Sequence, residues 1–322
     1  MKFLSNKSTD PYFNMAFDEY CLMQYDAEEP VFYLWRNRPS VIIGLNQNAY
    51  GEVNLDYLEE HGISLARRVT GGGAVYHDLQ NLNYSIIGRS VSPQPVADAL
   101  RMMGVEAELT GRNDIFVDGR KVSGYARRVW RDRELVHGTL MFDVDLHTLT
   151  EALNVSGSKL EAKGIASVRS RVANLKDRLP QFRSVTEFAG RLHGILAGGD
   201  EEIFLRPEEL ETVSRLASEK FATWEWIYGH SKEATLTRKA KLPCGTVEAE
   251  ISLEKGYISG LRFSGDFIGD LPPDGIASLL EGVRFERTAI LGALQGFGVS
   301  TVFGGTDAAA LADLMTNHNN NL

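Results

Sequence analysis

Arg67-Arg68-Val69-Thr70-Gly71-Gly72-Gly73-Ala74-Val75-Tyr76-His77-Asp78 is the stretch on which the reading of this 322-residue chain turns. Three consecutive glycines cost backbone entropy in any ordered state. They fit a place where backbone must approach a ligand closely or take positive φ. Bare N–H groups there can face phosphate oxygens, and an adjacent arginine adds charge and a fork of donors. The plainer reading is a flexible turn between two strands, and the flanking arginines weigh against it.

Upstream of the triplet, Ser64–Val69 reads as a strand and Leu55–His61 as a short helix. Val31–Trp35 and Val41–Ile43 read as strands, with Pro39-Ser40 as the turn between them. Asp10-Pro11 offers an N-cap followed by proline at N1, opening a helix over Tyr12–Gln24. Met1–Ser5 is a short strand. Downstream, Asn83–Ile87 is a strand and Val96–Met103 a helix, and more strands follow up to Asp143. Helices are expected near Leu149–Leu153, Val185–Leu196 and Pro207–Phe221. The class is α+β with a mixed or largely antiparallel sheet. A boundary falls after Trp224–Gly229, with His230–Glu233 as linker. That gives a domain over residues 1–229 and a small α+β domain over 234–322, opening with short strands, in line with about 150 residues per domain. The tail Thr316–Leu322 reads as disordered.

The second informative stretch is Asn113-Asp114-Ile115-Phe116-Val117-Asp118-Gly119-Arg120-Lys121-Val122-Ser123-Gly124. Asp118-Gly119 between β-prone runs signals a two-residue hairpin. Val117 then faces Arg120, Phe116 faces Lys121 and Asp114 faces Ser123, which makes Asp114 and Lys121 diagonal neighbours on one face. Such a pair beside a glycine loop suits a carboxylate, a phosphate and a metal ion bound together. A third stretch, Lys159–Leu175, is basic and reads as a loop that closes on an anionic intermediate.

The formal net charge of −9 argues against general nucleic-acid binding. It hides two basic segments, Gly111–Arg133 at net +4 and Ser158–Arg183 at net +5. Local positive charge within an acidic chain suits a small anionic ligand. Two cysteines, Cys21 and Cys244, are too few for a disulfide scaffold or a CxxC metal site. No secretory signal and no run of about 18 apolar residues is present, so a cytoplasmic protein with no membrane partner is expected. The chain lacks a Gly-Lys dipeptide, hence a Walker loop, and lacks Gly-x-Ser-x-Gly and His-Glu-x-x-His. Tyr76 stands where the dinucleotide fingerprint needs its third glycine.

Together these residues resemble the lipoate–protein ligase family within the biotin/lipoate ligase superfamily. The resemblance rests on Arg67-Arg68-x-x-Gly71-Gly72-Gly73-Ala74-Val75-Tyr76-His77-Asp78, Asn81, Asn113-Asp114, Lys121-Val122-Ser123-Gly124, His137-Gly138-Thr139-Leu140 and Lys163-Gly164-Ile165 through Asn174-Leu175. It spans about residues 1–229, and the C-terminal unit resembles the accessory domain of two-domain bacterial ligases. The resemblance implies ATP-dependent activation of lipoate to lipoyl-AMP, then transfer to a lysine of a lipoyl domain, as in lipoate salvage. It implies Lys121 as the catalytic residue, and Arg68, Gly71, Gly72, Gly73, Ala74, Val75, Tyr76, Asn113, Asp114 and Lys121 around ATP and lipoyl-AMP. Trp35, Arg68, Val75, His77, Lys121 and His137 would contact lipoate, with Tyr76 as further apolar lining. Lys163, Gly164, Ser167 and Arg169 would form an adenylate-binding loop. Asp114 would hold magnesium or position the incoming amine. The implied cofactors are ATP and Mg2+. The implied partners are lipoyl domains of 2-oxoacid dehydrogenase complexes and the glycine cleavage H protein.

Two rivals share the fold. An octanoyl or lipoyl transferase would pass its acyl group through a cysteine thioester without ATP, and neither Cys21 nor Cys244 lies in a motif region. A non-catalytic lipoyl-domain binder would have no use for Lys121 and Asp114. Pyrophosphate release that depends on ATP separates both from a ligase. Lipoate and octanoate are not distinguished, since both fill a slot of similar bore.

Overall fold

The computed structural model describes residues 1–25, 29–110, 113–153, 171–199, 201–231 and 233–317. Two compact units divide the chain: Met1–Gln47 with His61–Ile227, and Asn48–Glu60 with Tyr228–Leu322.

The first unit contains strands β1 (Lys2–Leu4), β2 (Val31–Trp35), β3 (Ser40–Ile43), β4 (Ser64–Arg67), β5 (Val75–His77), β6 (Asn81–Gly88), β7 (Ala107–Thr110), β8 (Asp114–Val117), β9 (Arg120–Trp130), β10 (Arg133–Met141) and β11 (Glu202–Ile203). Eight of them form one sheet in the order β11-β1-β2-β6-β10-β9-β8-β7. β1 pairs in parallel with β11 and β2, and the other pairs are antiparallel. A separate small sheet has the order β4-β3-β5. This is the α+β mixed sheet expected from the sequence. One element differs: β2 and β3 belong to different sheets, so Pro39-Ser40 is a crossing from one sheet to the other, with β3 starting at Ser40 itself. Local turn residues report that the chain bends, not which strand it meets next.

Strand β6 shows how the faces are used. All eight residues are buried. Leu82, Tyr84 and Ile86 join a core with Phe32, Leu34, Val136 and Leu140 and with Val96, Leu100, Phe188 and Leu192 from helices Gln94–Met102 and Val185–Ala197. The alternate residues Asn81, Asn83 and Ser85 face the other way, as strand periodicity demands. That second face is covered by helix α1 (Pro11–Met23), whose Met15, Ala16, Phe17 and Leu22 pack with Tyr33, Trp35 and Leu135 of the large sheet and Ile42 and Ala66 of the small one. Asp10 caps α1 by accepting from Tyr12 N at 2.8 Å and Phe13 N at 3.0 Å. Pro11 stands at its first position, where the missing N–H costs nothing.

In the second unit β12 (Ala234–Leu242), β13 (Gly245–Glu254) and β14 (Tyr257–Gly265) form an antiparallel meander. These strands run nine or ten residues, longer than the short strands read from sequence. Val247, Ala249, Ile251 and Leu253 alternate inward onto helices Asp274–Leu280, Arg287–Leu294 and Ala308–Thr316. Residues 48–60, read from sequence as part of the first unit, pack with the second. The Tyr50 ring lies 5.3 Å from Phe285 and 5.5 Å from Tyr228, contacts that no local pattern announces. Among the described residues no helix is long and apolar enough to cross a membrane.

Arg67 closes β4 with a fully buried side chain. Its guanidinium donates to the carbonyls of Gly44, Leu45 and Gln47 on one side and Trp226 and Ile227 on the other. Arg67→Met would orphan those acceptors in a dry interior, and about 3–5 kcal/mol of unfolding free energy should be lost. Urea unfolding followed by tryptophan fluorescence checks this.

Candidate functional site

One cavity opens on the second face of the large sheet, below the small sheet. The strand registers explain its walls. Trp35 on β2 faces Asn83 on β6, which faces Thr139 on β10. One step along, Tyr33 faces Ser85, which faces His137, which faces Ala126 on β9. Met15 from α1, Ile42 from β3 and Val75 from β5 supply apolar wall, and Arg68, Gly73, Ala74, His77, Asn113, Lys121 and Gly124 complete the lining. Apolar surface thus fills one part of the slot and cationic or amide groups another.

The glycine loop is held from below by Arg68. Its Nε donates to Thr70 Oγ1 at 3.0 Å, its Nη2 to the carbonyls of Gly71 and Gly73 at 2.7 and 2.8 Å, and its Nη1 to the Ile42 carbonyl at 3.0 Å. Burial lowers its pKa from 12.5 to about 10, which leaves it charged at neutral pH. Only Gly72 of the triplet has positive φ, at 97°. A Cβ on Gly71 or Gly73 would meet nothing within 4 Å, so the loop has open space beside it. A Cβ on Gly44, by contrast, would lie 2.2 Å from the Gly72 carbonyl oxygen. The loop rests directly on bare backbone there.

Lys121 arrives through the hairpin. Asp118 and Gly119 both have positive φ, 50° and 73°, as a two-residue primed turn requires. Val117 faces Arg120 and Phe116 faces Lys121, as the sequence predicts. Beyond them the register shifts, and Asp114 faces Gly124 rather than Ser123. The inserted residue, Val122, is buried in the core, and that burial outweighs a regular ladder. The bulge brings the Lys121 ammonium to 2.7 Å from the Asp114 carboxylate. Gly124 makes room for it, since a Cβ there would sit 2.9 Å from Lys121 Nζ. The Lys121 backbone is also held on its other side, donating to Arg171 O and accepting from Ala173 N.

His77 is fixed by a chain that starts on backbone. Asn14 Nδ2 donates to the Ser8 and Arg36 carbonyls and meets Asn37 Oδ1 at 2.7 Å. Asn37 must therefore donate its amide to His77 Nδ1, at 3.1 Å. The ring proton then sits on Nε2, a buried donor on the cavity wall with no partner among the described residues. Burial chiefly, with the nearby Arg68 guanidinium and the neighbouring His137 ring, lowers the His77 pKa to about 3. The ring is neutral at physiological pH. Its Nε2–H asks for an acceptor on a bound ligand.

Under the slot lies Asp18, on α1 and wholly buried. Its Oδ1 accepts from Tyr33 Oη at 2.5 Å and Ser85 Oγ at 2.7 Å, and its Oδ2 lies 2.6 Å from His137 Nδ1. Sequence reading passed over it. The available signal was a charged pair, Asp18-Glu19, inside an otherwise apolar helix. Glu19 is accounted for by its ion pair with Lys220 at 2.7 Å.

Of the residues expected around ligands, Trp35, Arg68, Gly73, Ala74, Val75, His77, Asn113, Lys121 and His137 line the one cavity. Tyr76 alternates to the opposite side of β5 and faces Val41, so it does not line the slot. Gly71, Gly72 and Asp114 stand beside the lining. Lys163, Gly164, Ser167 and Arg169 lie outside the described residues. Sequence reading missed Met15, Ile42, Asn83, Tyr125, Ala126 and Thr139, although the alternation Asn81-Leu82-Asn83-Tyr84-Ser85 marks a polar face where a core would be apolar. Cys21 is fully buried and its thiol is pushed up by burial, so it is a poor nucleophile. Cys244 is buried in the core of the second unit. Among the described residues no group of three or more acidic, histidine or cysteine side chains forms a metal cluster.

Comparison with known proteins shows what the chain as a whole is similar to. Residues 10–196 match the family model of the lipoyl protein ligase A/B catalytic domain, and residues 231–315 that of the bacterial lipoate protein ligase C-terminus. A lipoate-protein ligase of Bacillus subtilis is 39% identical over 98% of this chain and 100% of its own length. Among solved structures, a bipartite lipoate protein ligase of Thermoplasma acidophilum, described together with its E2 lipoyl domain, superposes with a TM-score of 0.64. It is 29% identical over 73% of this chain and 98% of its own. A lipoate-protein ligase A bound with ATP gives 0.61, at 29% identity, 71% and 98%.

The neutral state of His77 has a consequence for stability. Between about pH 6.5 and 3 the unfolded chain takes up a proton at this position and the folded chain does not. The stability it contributes is therefore whole above 6.5 and drains as pH falls toward 3. Urea unfolding across that window should show a steeper pH slope in the natural chain than in His77→Gln, by about one proton.

Proposed function

Because this chain belongs to the lipoate–protein ligase family, we propose that it joins lipoate to lipoyl domains in two steps at the cavity just described. The observation that carries the reading is the Lys121–Asp114 pair at 2.7 Å on the rim of a slot with Trp35, Ile42, Met15 and Val75 on its walls. An apolar acid fits that slot with its carboxylate among the polar groups.

In the first step a lipoate carboxylate oxygen attacks the α-phosphorus of ATP and pyrophosphate leaves. Two anions must meet, and the Lys121 ammonium lowers their repulsion and stabilises charge growing on the α-phosphoryl oxygens. The glycine-loop backbone, fixed by Arg68, offers N–H groups to the nucleotide. In the second step the acceptor lysine amine attacks the acyl carbon, and AMP departs with the electrons of the broken C–O bond. Holding the reactants in line supplies much of the acceleration. A largely buried slot limits loss of the mixed anhydride to water.

Magnesium would accompany the triphosphate, and Asp114 is the residue that would hold it. Such an ion needs one or two protein carboxylates, the rest of its shell being phosphate oxygen and water. Asp114, 25% exposed beside Lys121, fits that requirement, and magnesium held there would neutralise phosphate charge. The acceptors are the lipoyl domains of 2-oxoacid dehydrogenase complexes and the glycine cleavage H protein, met in the cytoplasm. Buried Cys21 and Cys244 speak against the thioester route of a transferase.

Incubation of an apo lipoyl domain with this protein, lipoate and Mg-ATP should add one lipoyl group by intact mass, and omission of ATP should abolish the gain. A gain without ATP would overturn the ligase reading. Lys121→Ala should lower pyrophosphate release by at least about 100-fold, the usual scale for losing one transition-state donor. Its melting temperature should stay within a few degrees, since the side chain is a third exposed.

A further inference from the structure

Two hydrogen-bond chains end on one buried carboxylate. The first begins in the slot wall, where Trp35 Nε1 donates to Ser85 Oγ at 2.9 Å and Ser85 Oγ donates to Asp18 Oδ1 at 2.7 Å. The second begins under the glycine loop, where Arg68 Nε donates to Thr70 Oγ1 at 3.0 Å. Thr70 Oγ1 lies 2.7 Å from His137 Nε2, and His137 Nδ1 lies 2.6 Å from Asp18 Oδ2. A carboxylate only accepts, so His137 carries its proton on Nδ1. On the ring's other side Nε2 meets the Thr70 hydroxyl, which also accepts from Arg68. Both chains thus terminate on Asp18, one at each carboxylate oxygen. Thr70, Ser85, His137 and Asp18 are all buried, so water does not compete for these bonds.

From this we infer that Asp18 is a positioning residue that ties the acyl slot to the nucleotide loop. It touches neither substrate. It holds the Nδ1 side of His137, hence the ring's seat against the Thr70 hydroxyl, hence the seat of Arg68 beneath Gly71 and Gly73. Through Ser85 it sets the indole of Trp35. An amide at position 18 presents N–H where donors converge, so one chain must reverse. The loop and the slot wall then lose their common anchor. The inference rests on the ligase reading above, with lipoate at Trp35 and nucleotide at the loop.

Initial rates of pyrophosphate release, with lipoate and Mg-ATP varied in turn, test it on the full chain. Asp18→Asn should raise the KM for both substrates roughly tenfold, the scale of one misdirected hydrogen bond to a charged group. Thr70→Val changes a residue beside the loop, yet it should raise the KM for lipoate as well as for ATP. Thr70→Ser, which keeps the hydroxyl, should restore both to within about twofold. If Thr70→Val alters the ATP constant alone, or alters neither, the tie between the two sites is overturned. If Asp18→Asn does not fold, the Thr70→Val and Thr70→Ser pair decides the matter by the same criterion. Absence of pyrophosphate release from the natural chain would overturn the ligase reading and this inference with it, a result distinct from an active enzyme whose two constants move independently.

Discussion

The site depends on two consecutive guanidinium groups at the end of β4. Irregular backbone that approaches a ligand cannot pair its own carbonyls in a ladder, yet buried carbonyls must be paired. Arg67 and Arg68 solve this from one point, their side chains leaving neighbouring residues in different directions. Arg67 satisfies the 44–47 turn and the carbonyls at 226–227, where the first unit ends. Arg68 satisfies the glycine loop and β3. Each is buried, and each points its N–H groups at backbone carbonyl dipoles. Burial lowers both pKa values only to about 10, which such a carbonyl cage tolerates. Among the described residues the arrangement leaves the N–H groups of Gly71, Gly72 and Gly73 without backbone acceptors, which suits the proposed seat for phosphate.

Charge is therefore graded across the slot. Lys121 and Asp114 form an ion pair on the rim, His77 is neutral in the wall, and Asp18 lies beneath, sealed by donors. An acid that carries a greasy tail meets cation at one end and aromatic or aliphatic surface at the other. This polarity matches a reaction that brings two anions together in the first step and admits a neutral amine in the second.

Much of this was legible in the sequence. The Asp10-Pro11 cap, the Asp118-Gly119 turn, the glycine triplet and the Lys121–Asp114 proximity all depend on neighbours a few residues apart. What was not legible depends on long-range packing. The bulge at Val122 exists because the core takes that side chain, and the core is assembled from Leu140, Leu175 and other distant residues. Tyr76 suits an apolar slot by its chemistry and its place in the motif, yet strand alternation turns it away from Val75 and His77. Asp18 was overlooked because its partners stand 15, 67 and 119 residues away. Residues 48–60 pack with the second unit through Tyr50, a choice made by partners near residues 228 and 285.

The contact between Gly44 and the Gly72 carbonyl has a consequence for how such a chain can drift. The loop is seated on a position with no side chain, and the space a methyl group would need is already filled by oxygen. Positions 44 and 72, separated in sequence by the whole of the 48–60 segment and β4, thus behave as a single inherited character. A substitution at the first is tolerable only alongside a re-routed loop at the second. Descendants should therefore keep both or lose both, and the floor beneath the loop is as much a signature of this chemistry as the glycines above it.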